Sequence, residues 1–269
     1  MVKPVILCIA KTEEKYIEEF VRYHLAIGFT KIFIFDNEEF PTYKKLLKPY
    51  NEYIEHFHLP IPGCQQKMLD SFVNNVLPNA KFTHIIHMDI DEFIVLKKHK
   101  NIIEFIKDYI KNDCEAIAIN WRFFGSYTSS SDETQPVTQR FTMCEKKANR
   151  HIKTISAIDN IAKIYPHHVI LNKGSIKRTN GETIRCWWDV NEDKDIDTSV
   201  IQMNHYKSKT WKEFKDVHSR RGDVNHFFFD TPTMPRELMR QHFFDCDKND
   251  IEDTSASDFY KNVAINWNP

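Results

Sequence analysis

The sequence predicts an α/β fold in which helices flank a mostly parallel central sheet. The chain has 269 residues, enough for one large domain with a buried core. It is 41% hydrophobic and 28% charged, a composition typical of folded rather than disordered proteins. Through residue 124, short apolar runs alternate with helical patterns. Such alternation favours right-handed strand–helix–strand crossovers, whose ligands bind beyond the carboxyl ends of the strands.

The alternation opens with a strand, a helix and a strand. The run VILCIA predicts a buried strand over 5–10, and KIFIFDN predicts a second over 31–37. The segment between them has the period of an amphipathic helix that ends at Gly28. The apolar face of this helix would carry Ile17, Phe20, Val21 and His24.

The same pattern continues along the chain. Further strands are predicted in YIEHFHL, HIIHMD and EAIAINWRFF, with helical stripes between them. After residue 125 the pattern gives way to the long polar loop GSYTSSSDETQPVTQ. One more strand, SVIQMNHY, precedes a helix over 210–222 that Thr210 would cap and Gly222 would end. From PRELMRQHFF onward the chain is predicted to be helical.

Charge and cysteine content exclude several classes of protein. The chain has 37 basic and 38 acidic residues, so no global field attracts nucleic acid, and no nucleic-acid partner is expected. Six cysteines without a CxxC pair predict reduced, buried thiols rather than a zinc site or a disulfide framework. No window approaches the about 18 to 20 apolar residues of a membrane span. We therefore expect a cytoplasmic protein, with peripheral contact at a membrane left open.

Acidic residues interrupt the strand pattern HIIHMDIDEFIVL. Asp89 and Asp91 stand at i and i+2 where the strand ends, so both carboxylates can project to one side and bind Mn²⁺ or Mg²⁺ together with phosphate oxygens. The alternative is a solvated turn cap, but unpaired charge beside a buried strand is costly. Glu92 is interpreted as an acid that braces the turn, and His87 as a core residue.

Other polar residues follow other predicted strands. Asp36 ends the second strand, where it would either accept hydrogen bonds from a ribose or base, or cap a turn. His205 follows the strand before NHYKSK and is a candidate third metal ligand, with a structural histidine as the alternative. Nearby basic residues either face a diphosphate leaving group or are solvated. They are Lys207, Lys209, Arg220 and Arg221.

Six segments occur in an order that is specific although each segment is weak alone. They are CIAKTEEKYIEEFVRYHLAIGFTKIFIFDN, MDIDEF, NWRFFGS, HIKTI, PHH and NHYKSKTWKEF…RRG. This order resembles the GT-A-fold glycosyltransferases of family 92 and the related family 2-like group. The resemblance covers about 1–222 and implies a nucleotide-sugar-binding half (1–124, Rossmann-like) and an acceptor-binding half (125–222). Residues 223–269 would form a C-terminal helical extension outside it.

The resemblance implies transfer of a hexose from a nucleotide-diphosphate sugar, most simply a UDP-hexose, to a glycan or lipid-linked glycan hydroxyl, with inversion, as in polysaccharide biosynthesis. Asp89 and Asp91 would bind Mn²⁺ or Mg²⁺, and His205 matches a strand-end histidine of the family. The nucleotide-sugar site would comprise Ala10, Lys11, Thr12, Asp36, Gln66, Lys67, Ile90, Lys153 and Lys209. The wall facing the sugar or acceptor would comprise Trp121, Phe124, Gly125 and Trp188. The chain departs from the family at Thr12 and Glu13, where Asn-Glu is common.

No residue clearly matches the family's catalytic base. The candidates are Asp132, Glu133 and Asp189, of which we favour Asp189 because adjacent tryptophans would desolvate it. Two other functions remain open. A metal-dependent nucleotidyltransferase would usually need a glycine-rich phosphate loop, which CIAKTEEKY lacks. A non-catalytic carbohydrate-binding protein would suit the 20 Phe, 10 Tyr and 5 Trp residues.

Overall fold

The computed structural model describes residues 1–127, 130, 132–184, 196–221 and 236–268, apart from the side chains of 220 and 221. Within these ranges we number thirteen strands and eight helices in chain order. The strands are β1 (Pro4–Ala10), β2 (Lys31–Asp36), β3 (Ile54–His58), β4 (His84–His87), β5 (Glu92–Leu96), β6 (Cys114–Phe123), β7 (Met143–Cys144), β8 (Ile152–Ala157), β9 (Ile161–Ile164), β10 (Val169–Leu171), β11 (Ser175–Lys177), β12 (Ile201–His205) and β13 (Ile251–Glu252). The helices are α1 (Ile17–Ala26), α2 (Tyr43–Leu46), α3 (Gln65–Asn75), α4 (Ile102–Tyr109), α5 (Val137–Arg140), α6 (Trp211–Arg221), α7 (Arg236–Cys246) and α8 (Ser255–Asn262).

The described part of the chain is built around a nine-stranded sheet. Its order is β3-β2-β1-β4-β8-β6-β12-β5, with β11 also paired to β6. Strands β3, β2, β1 and β4 are parallel to one another, as are β6 and β12, whereas β8 and β5 run antiparallel to their neighbours. The predicted mostly parallel sheet is confirmed, with β8 inserted in reverse. The carboxyl ends of β1, β2, β4, β6 and β12 therefore meet at one edge.

The predicted strand–helix–strand opening is confirmed. All four residues of the predicted helix face are fully buried. Gly28 ends the helix with a φ of 109°, a left-handed conformation that side chains disfavour. The amide of Gly28 donates to the carbonyl of Leu25, and that of Phe29 to the carbonyl of His24. Burial lowers the pKa of His24 to about 3, so its imidazole is a neutral core group.

Strand β1 shows why its sequence is apolar without interruption. Ile6 and Cys8 belong to the core cluster that includes the buried face of α1. Val5 and Leu7 belong to a second cluster that includes Phe72 of α3. Successive side chains of a strand point to opposite faces, so a sheet covered on both faces requires a continuous apolar run.

The C-terminal segment contributes to the same core. Strand β13 pairs with β7 in antiparallel fashion, joining residues more than a hundred positions apart in sequence. Cys246, Ala256 and Tyr260 belong to the main core cluster, and α8 packs against α5. The segment contains the expected helices, α7 and α8, together with a strand that the sequence pattern did not indicate.

Two further expectations concern the chain as a whole. The cysteines within the described ranges are free and buried, as predicted; Cys186 lies outside those ranges. In the part of the chain that the structure describes, no helix is long and apolar enough to span a bilayer.

Candidate active site

The edge of the sheet where the parallel strands end brings the predicted acids and histidine together. Strand register places His205 opposite Phe123 of β6 on one side and opposite Glu92 of β5 on the other. Directly paired residues share a face of a sheet, so these three side chains lie on one face. Asp89 and Asp91 occupy the tight turn between β4 and β5.

Glu92 braces this turn, as the sequence predicted. Its Oε2 accepts a hydrogen bond from the Asp89 amide at 2.9 Å, and its own amide donates to the Asp89 carbonyl at 3.2 Å. The side chain is fully buried, and burial raises its pKa well above the usual range although Lys153 lowers it. Oε1 has no hydrogen-bond partner among the described residues. Glu92 therefore binds its proton more tightly than an exposed glutamic acid does.

Lys153 supplies a buried positive charge to the same turn. Its Nζ lies 3.0 Å from Oδ2 of Asp89 and 3.4 Å from Oε2 of Glu92. Burial lowers the pKa of Lys153, but the two acids outweigh this and raise it. Burial raises the pKa of Asp89, but the lysine ammonium lowers it to about 2. Asp89 is thus ionised, and its side chain remains 39% exposed while that of Lys153 is 1% exposed.

Asp91 faces the end of β12. Its Oδ1 lies 3.4 Å from Nε2 of His205, and its Oδ2 lies 3.9 Å from Nζ of Lys209. The Asp91 carbonyl also accepts a hydrogen bond from the Tyr206 amide at 2.8 Å. Burial lowers the pKa of His205 although Asp91 raises it, so the imidazole is neutral, the form that ligates metals. Its Nδ1 is buried and has no hydrogen-bond partner within the described ranges.

Aromatic rings enclose His205. The imidazole centroid lies 4.4 Å from that of Trp121 and 5.1 Å from that of Phe123, with the latter ring stacked. Trp121 also stacks on His151. Trp121 is only 7% exposed, and Phe124 is 1% exposed and packs on Tyr206. In this structure both predicted sugar-facing residues therefore lie mainly in the core, and a direct role with sugar stays a prediction.

The side chains fit a divalent cation in chemistry, but they are not gathered around one point. Two carboxylates and a neutral imidazole are ligands that Mn²⁺ accepts, and Nδ1 of that imidazole has no hydrogen-bond partner among the described residues. However, no group of three or more His, Cys, Asp or Glu side chains is arranged to hold a metal within the residues described. Lys153 takes one oxygen of Asp89, and Asp91 is turned toward His205 and Lys209. The metal site stays a prediction.

Asp36 lies at the same edge, but its carboxylate is engaged within the protein. The side chain is fully buried. Its Oδ2 accepts hydrogen bonds from the amides of Thr42 (2.8 Å) and Tyr43 (3.1 Å) and lies 3.1 Å from Nε2 of His56. Its Oδ1 accepts from the Glu38 amide at 3.1 Å. The structure thus shows the turn-cap arrangement at the start of α2, and the nucleoside contact remains untested.

Two residues of the predicted donor site have left-handed backbone conformations. Thr12 has a φ of 61° and Lys209 a φ of 48°. Within the described ranges the other non-glycine residue of this kind is Asn112. The Thr12 amide donates to Oε1 of Glu38, and the Lys209 ammonium lies 4.5 Å from the centroid of the Tyr16 ring. A positive φ is uncommon for any residue other than glycine and most unfavourable for a β-branched residue such as Thr12. Backbone strain of this kind is concentrated at functional sites, so both loops remain candidates for the donor site.

The remaining donor-site candidates differ in exposure. Ala10 and Ile90 are buried, Lys11 is partly buried, and Lys67 is exposed. Gln66 donates its side-chain amide to the carbonyl of Ile164 at 3.0 Å, so it braces β9 from α3.

The three candidate bases fall in different situations. Asp189, with Trp188, lies outside the described residues. Asp132 accepts hydrogen bonds from Thr134, which lower its pKa, and Glu133 accepts from Lys212 and Lys15, which lower its pKa. A lowered pKa makes a carboxylate a weaker base, so neither Asp132 nor Glu133 is favoured by its surroundings.

One buried ion pair escaped the sequence analysis. Arg140 donates two hydrogen bonds to Glu213, at 2.7 and 2.9 Å, and both side chains are almost fully buried. Tyr16 donates a third, at 3.0 Å. Glu213 also forms a reciprocal capping box with Thr210, the predicted N-cap of α6. The T-x-x-E pattern could have indicated the capping box in the sequence. No local pattern could have indicated the pairing with Arg140, which lies 73 residues away.

Comparison with known proteins agrees with this architecture. Residues 3–241 match the model of glycosyltransferase family 92. The chain belongs to glycosyltransferase family 92. The family 92 match ends at residue 241, within α7.

Individual relatives of the family 92 domain are distant. It is 22% identical over 227 residues to a glycosyltransferase family 92 protein of Ricinus communis, a match that covers 81% of this chain. The match covers 38% of that relative, so the chain spans little more than a third of its length.

Two solved structures show limited similarity. A mannosyltransferase of S. cerevisiae, Ktr4p, is 12% identical with a TM-score of 0.33, over 59% of this chain and 56% of that one. A putative glucose-1-phosphate thymidylyltransferase from Bacillus anthracis, solved in complex with sucrose, is 11% identical with a TM-score of 0.36, over 59% and 72%.

Proposed function

We propose that the family 92 domain transfers a hexose from a UDP-hexose to a hydroxyl group of a glycan or lipid-linked glycan, with Mn²⁺ or Mg²⁺ as cofactor and with inversion. The observation that supports it is the meeting of Asp89, Asp91 and His205 with two buried lysines at one edge of the sheet. This edge is where ligands of parallel α/β sheets bind.

The charges of the site suit a nucleotide diphosphate. Asp89 and Asp91 alone would repel the phosphates, so a donor of this class requires positive charge at the turn. Lys153 and Lys209 provide two ammonium groups that are 1% and 5% exposed. In this environment the charge of each ammonium group acts on a bound diphosphate with little screening.

The metal would be held by Asp89 and Asp91, with His205 as the third protein ligand. When bound, the cation would neutralise charge on the departing diphosphate. The residues of the chain have separate tasks in this proposal. Lys153 holds one oxygen of Asp89 and leaves the exposed remainder of that carboxylate for the cation, and Lys209 meets the diphosphate from the β12 side.

Inversion requires a base that takes the proton of the acceptor hydroxyl as that oxygen attacks the anomeric carbon. The lowered pKa values of Asp132 and Glu133 weigh against them. Asp189 remains our candidate for this role.

Donor hydrolysis tests the proposal. A panel of UDP-hexoses and GDP-mannose is incubated with and without Mn²⁺, using wild type, Asp91→Asn and the exposed-acid control Asp113→Asn. We expect Mn²⁺-dependent nucleotide release from one UDP-hexose, retained in the control and reduced about 100-fold or more in Asp91→Asn. Absence of release from every donor, or release that ignores both Mn²⁺ and Asp91, would contradict the proposal. Pyrophosphate release from UTP and a sugar 1-phosphate would instead indicate a nucleotidyltransferase.

A further inference from the structure

The segment that follows β6 is held in place by side chains from the C-terminal part of the chain. The Ser126 amide and hydroxyl donate to the two carboxylate oxygens of Asp247, the hydroxyl at 3.1 Å. The Tyr127 amide donates to Oδ1 of Asn249 at 3.0 Å. Asn249 in turn donates to Asp247 at 2.9 Å. Two successive backbone amides are thus fixed by a pair of side chains that lies just after α7.

Gly125 makes this contact possible. A Cβ atom at this position would overlap the side-chain amide of Asn249. The sequence resemblance placed Gly125 near a sugar; the structure shows that the group approaching it is Asn249. The amide of Gly125 also donates to the carbonyl of Met143, which joins it to β7.

The same segment is attached to the candidate active site. The Phe124 amide donates to the carbonyl of His205 at 3.1 Å, and the Ser208 hydroxyl donates to the carbonyl of Phe124 at 2.8 Å. Residues 125–127 therefore begin directly beside the strand end that carries the proposed metal ligand.

Tyr127 presents its ring to solvent although its backbone is fixed. The residue is 68% exposed. The face of an exposed aromatic ring suits the apolar C–H surface of a pyranose ring. Fixing the backbone reduces the conformational entropy lost when a sugar stacks on the ring.

We propose that Tyr127 is a platform for the acceptor sugar and that Asp247 and Asn249 are positioning residues that hold it beside the donor site. This inference rests on the proposed function, because it assigns the acceptor side of the same reaction. It gives the C-terminal segment a role in acceptor binding.

The first test separates donor from acceptor. Wild type, Tyr127→Ala, Tyr127→Phe and the exposed-aromatic control Phe244→Ala are assayed for hydrolysis of the active UDP-hexose alone, and for transfer to a panel of methyl hexopyranosides. We expect Tyr127→Ala to raise the KM for the glycoside about tenfold with donor hydrolysis unchanged. Tyr127→Phe and Phe244→Ala should behave as wild type.

The second test addresses the positioning residues. Asp247→Ala and its neighbour control Asp245→Ala are compared for glycoside KM and for hydrogen exchange of the 126 and 127 amides. Asp247→Ala should raise the KM for the glycoside and speed hydrogen exchange at both amides. Its melting temperature shows whether the fold is retained. Asp245→Ala should change neither the KM nor the exchange rates. Gly125→Ala should raise KM in the wild-type background and have no added effect in Asn249→Ala.

The outcomes distinguish the two proposals. An unchanged KM in Tyr127→Ala, or a rise equal to that of Phe244→Ala, overturns the platform assignment while donor hydrolysis persists. Failure of every glycoside to accept sugar from a wild-type protein that hydrolyses its donor also overturns it. If the wild-type protein hydrolyses no donor, the proposed function itself is refuted.

Discussion

The Lys153 ammonium lies 3.0 Å from Oδ2 of Asp89. This contact explains how a chain can place acids at the end of a buried strand, since the turn contains its own counter-ion. The ammonium lowers the pKa of Asp89 to about 2, so the lysine faces an ionised carboxylate at neutral pH.

We expect Lys153→Met to weaken UDP binding about 100-fold while leaving Mn²⁺ binding at least as strong, because the lysine binds the same carboxylate that the cation needs. Separate titrations with UDP and with Mn²⁺ measure the two effects. Lys177→Met, which removes a lysine paired with the exposed Asp113, is the matched control and should change neither. Unaltered UDP affinity in a folded Lys153→Met protein would remove the lysine from the donor site.

Substitution of Asp36 distinguishes a role in capping the turn from a role in nucleoside binding. Because its buried carboxylate accepts hydrogen bonds from three backbone amides, Asp36→Ala should lower the free energy of unfolding by about 2 to 4 kcal/mol. The KM for the donor should stay near the wild-type value. Urea denaturation and donor kinetics give both quantities. A large rise in the KM for the donor without loss of stability would support a direct contact between Asp36 and the nucleoside.

The Arg140–Glu213 pair should be among the costliest to break. Glu213→Gln leaves the buried guanidinium without a counter-charge, so we expect a loss of about 3 to 5 kcal/mol in the free energy of unfolding. Glu55→Gln breaks the pair with Lys31, in which the lysine and glutamate side chains are 34% and 47% exposed, and should cost less than about 1 kcal/mol. Similar losses in the two variants would mean that burial of the Arg140 pair has little energetic consequence.

Glu145 should make stability depend on pH near neutrality. It is 9% exposed, and burial raises its pKa from 4.5 to about 7, although the Phe123 amide lowers it. The folded state then binds a proton more tightly than the unfolded state, so stability falls as pH rises from about 4.5 to about 7. The difference between wild type and Glu145→Gln should change by about 3 kcal/mol over this window. A constant difference from pH 4 to pH 8 would show that the folded pKa is not raised.

Local patterns predicted the first half of the fold well. A continuous apolar run, a helical stripe and Gly28 are features of neighbouring residues, and they gave β1, α1 and β2 close to their observed bounds. Pairings between distant residues had no such signal. The two-residue strands β7 and β13 are too short for a periodic pattern, and their pairing depends on the tertiary fold.

The candidate site divides in the same way. Strand-end positions indicated Asp89, Asp91 and His205, because the carboxyl ends of parallel strands meet at one edge of the sheet independently of loop conformation. What surrounds each side chain was not predictable. The approach of Asn249 to Gly125 arises from a segment far along the chain. The partners of Asp36 are nearer in sequence, but they depend on how the loop after β2 folds back over the strand end and on the position of His56 in β3. Trp188 and Asp189, the tryptophan and carboxylate favoured for the acceptor side, lie outside the described residues.

The most direct test of the account is binding of Mn²⁺ followed by electron paramagnetic resonance, in which the signal of free Mn²⁺ falls as the ion binds. We expect wild type with UDP to bind one Mn²⁺ per chain, and Asp89→Asn, Asp91→Asn and His205→Phe to bind it at least about tenfold more weakly. The control Asp113→Asn should match wild type. Equal Mn²⁺ binding in wild type and in Asp91→Asn, with UDP present, would contradict the assignment of this strand edge as the metal and donor site.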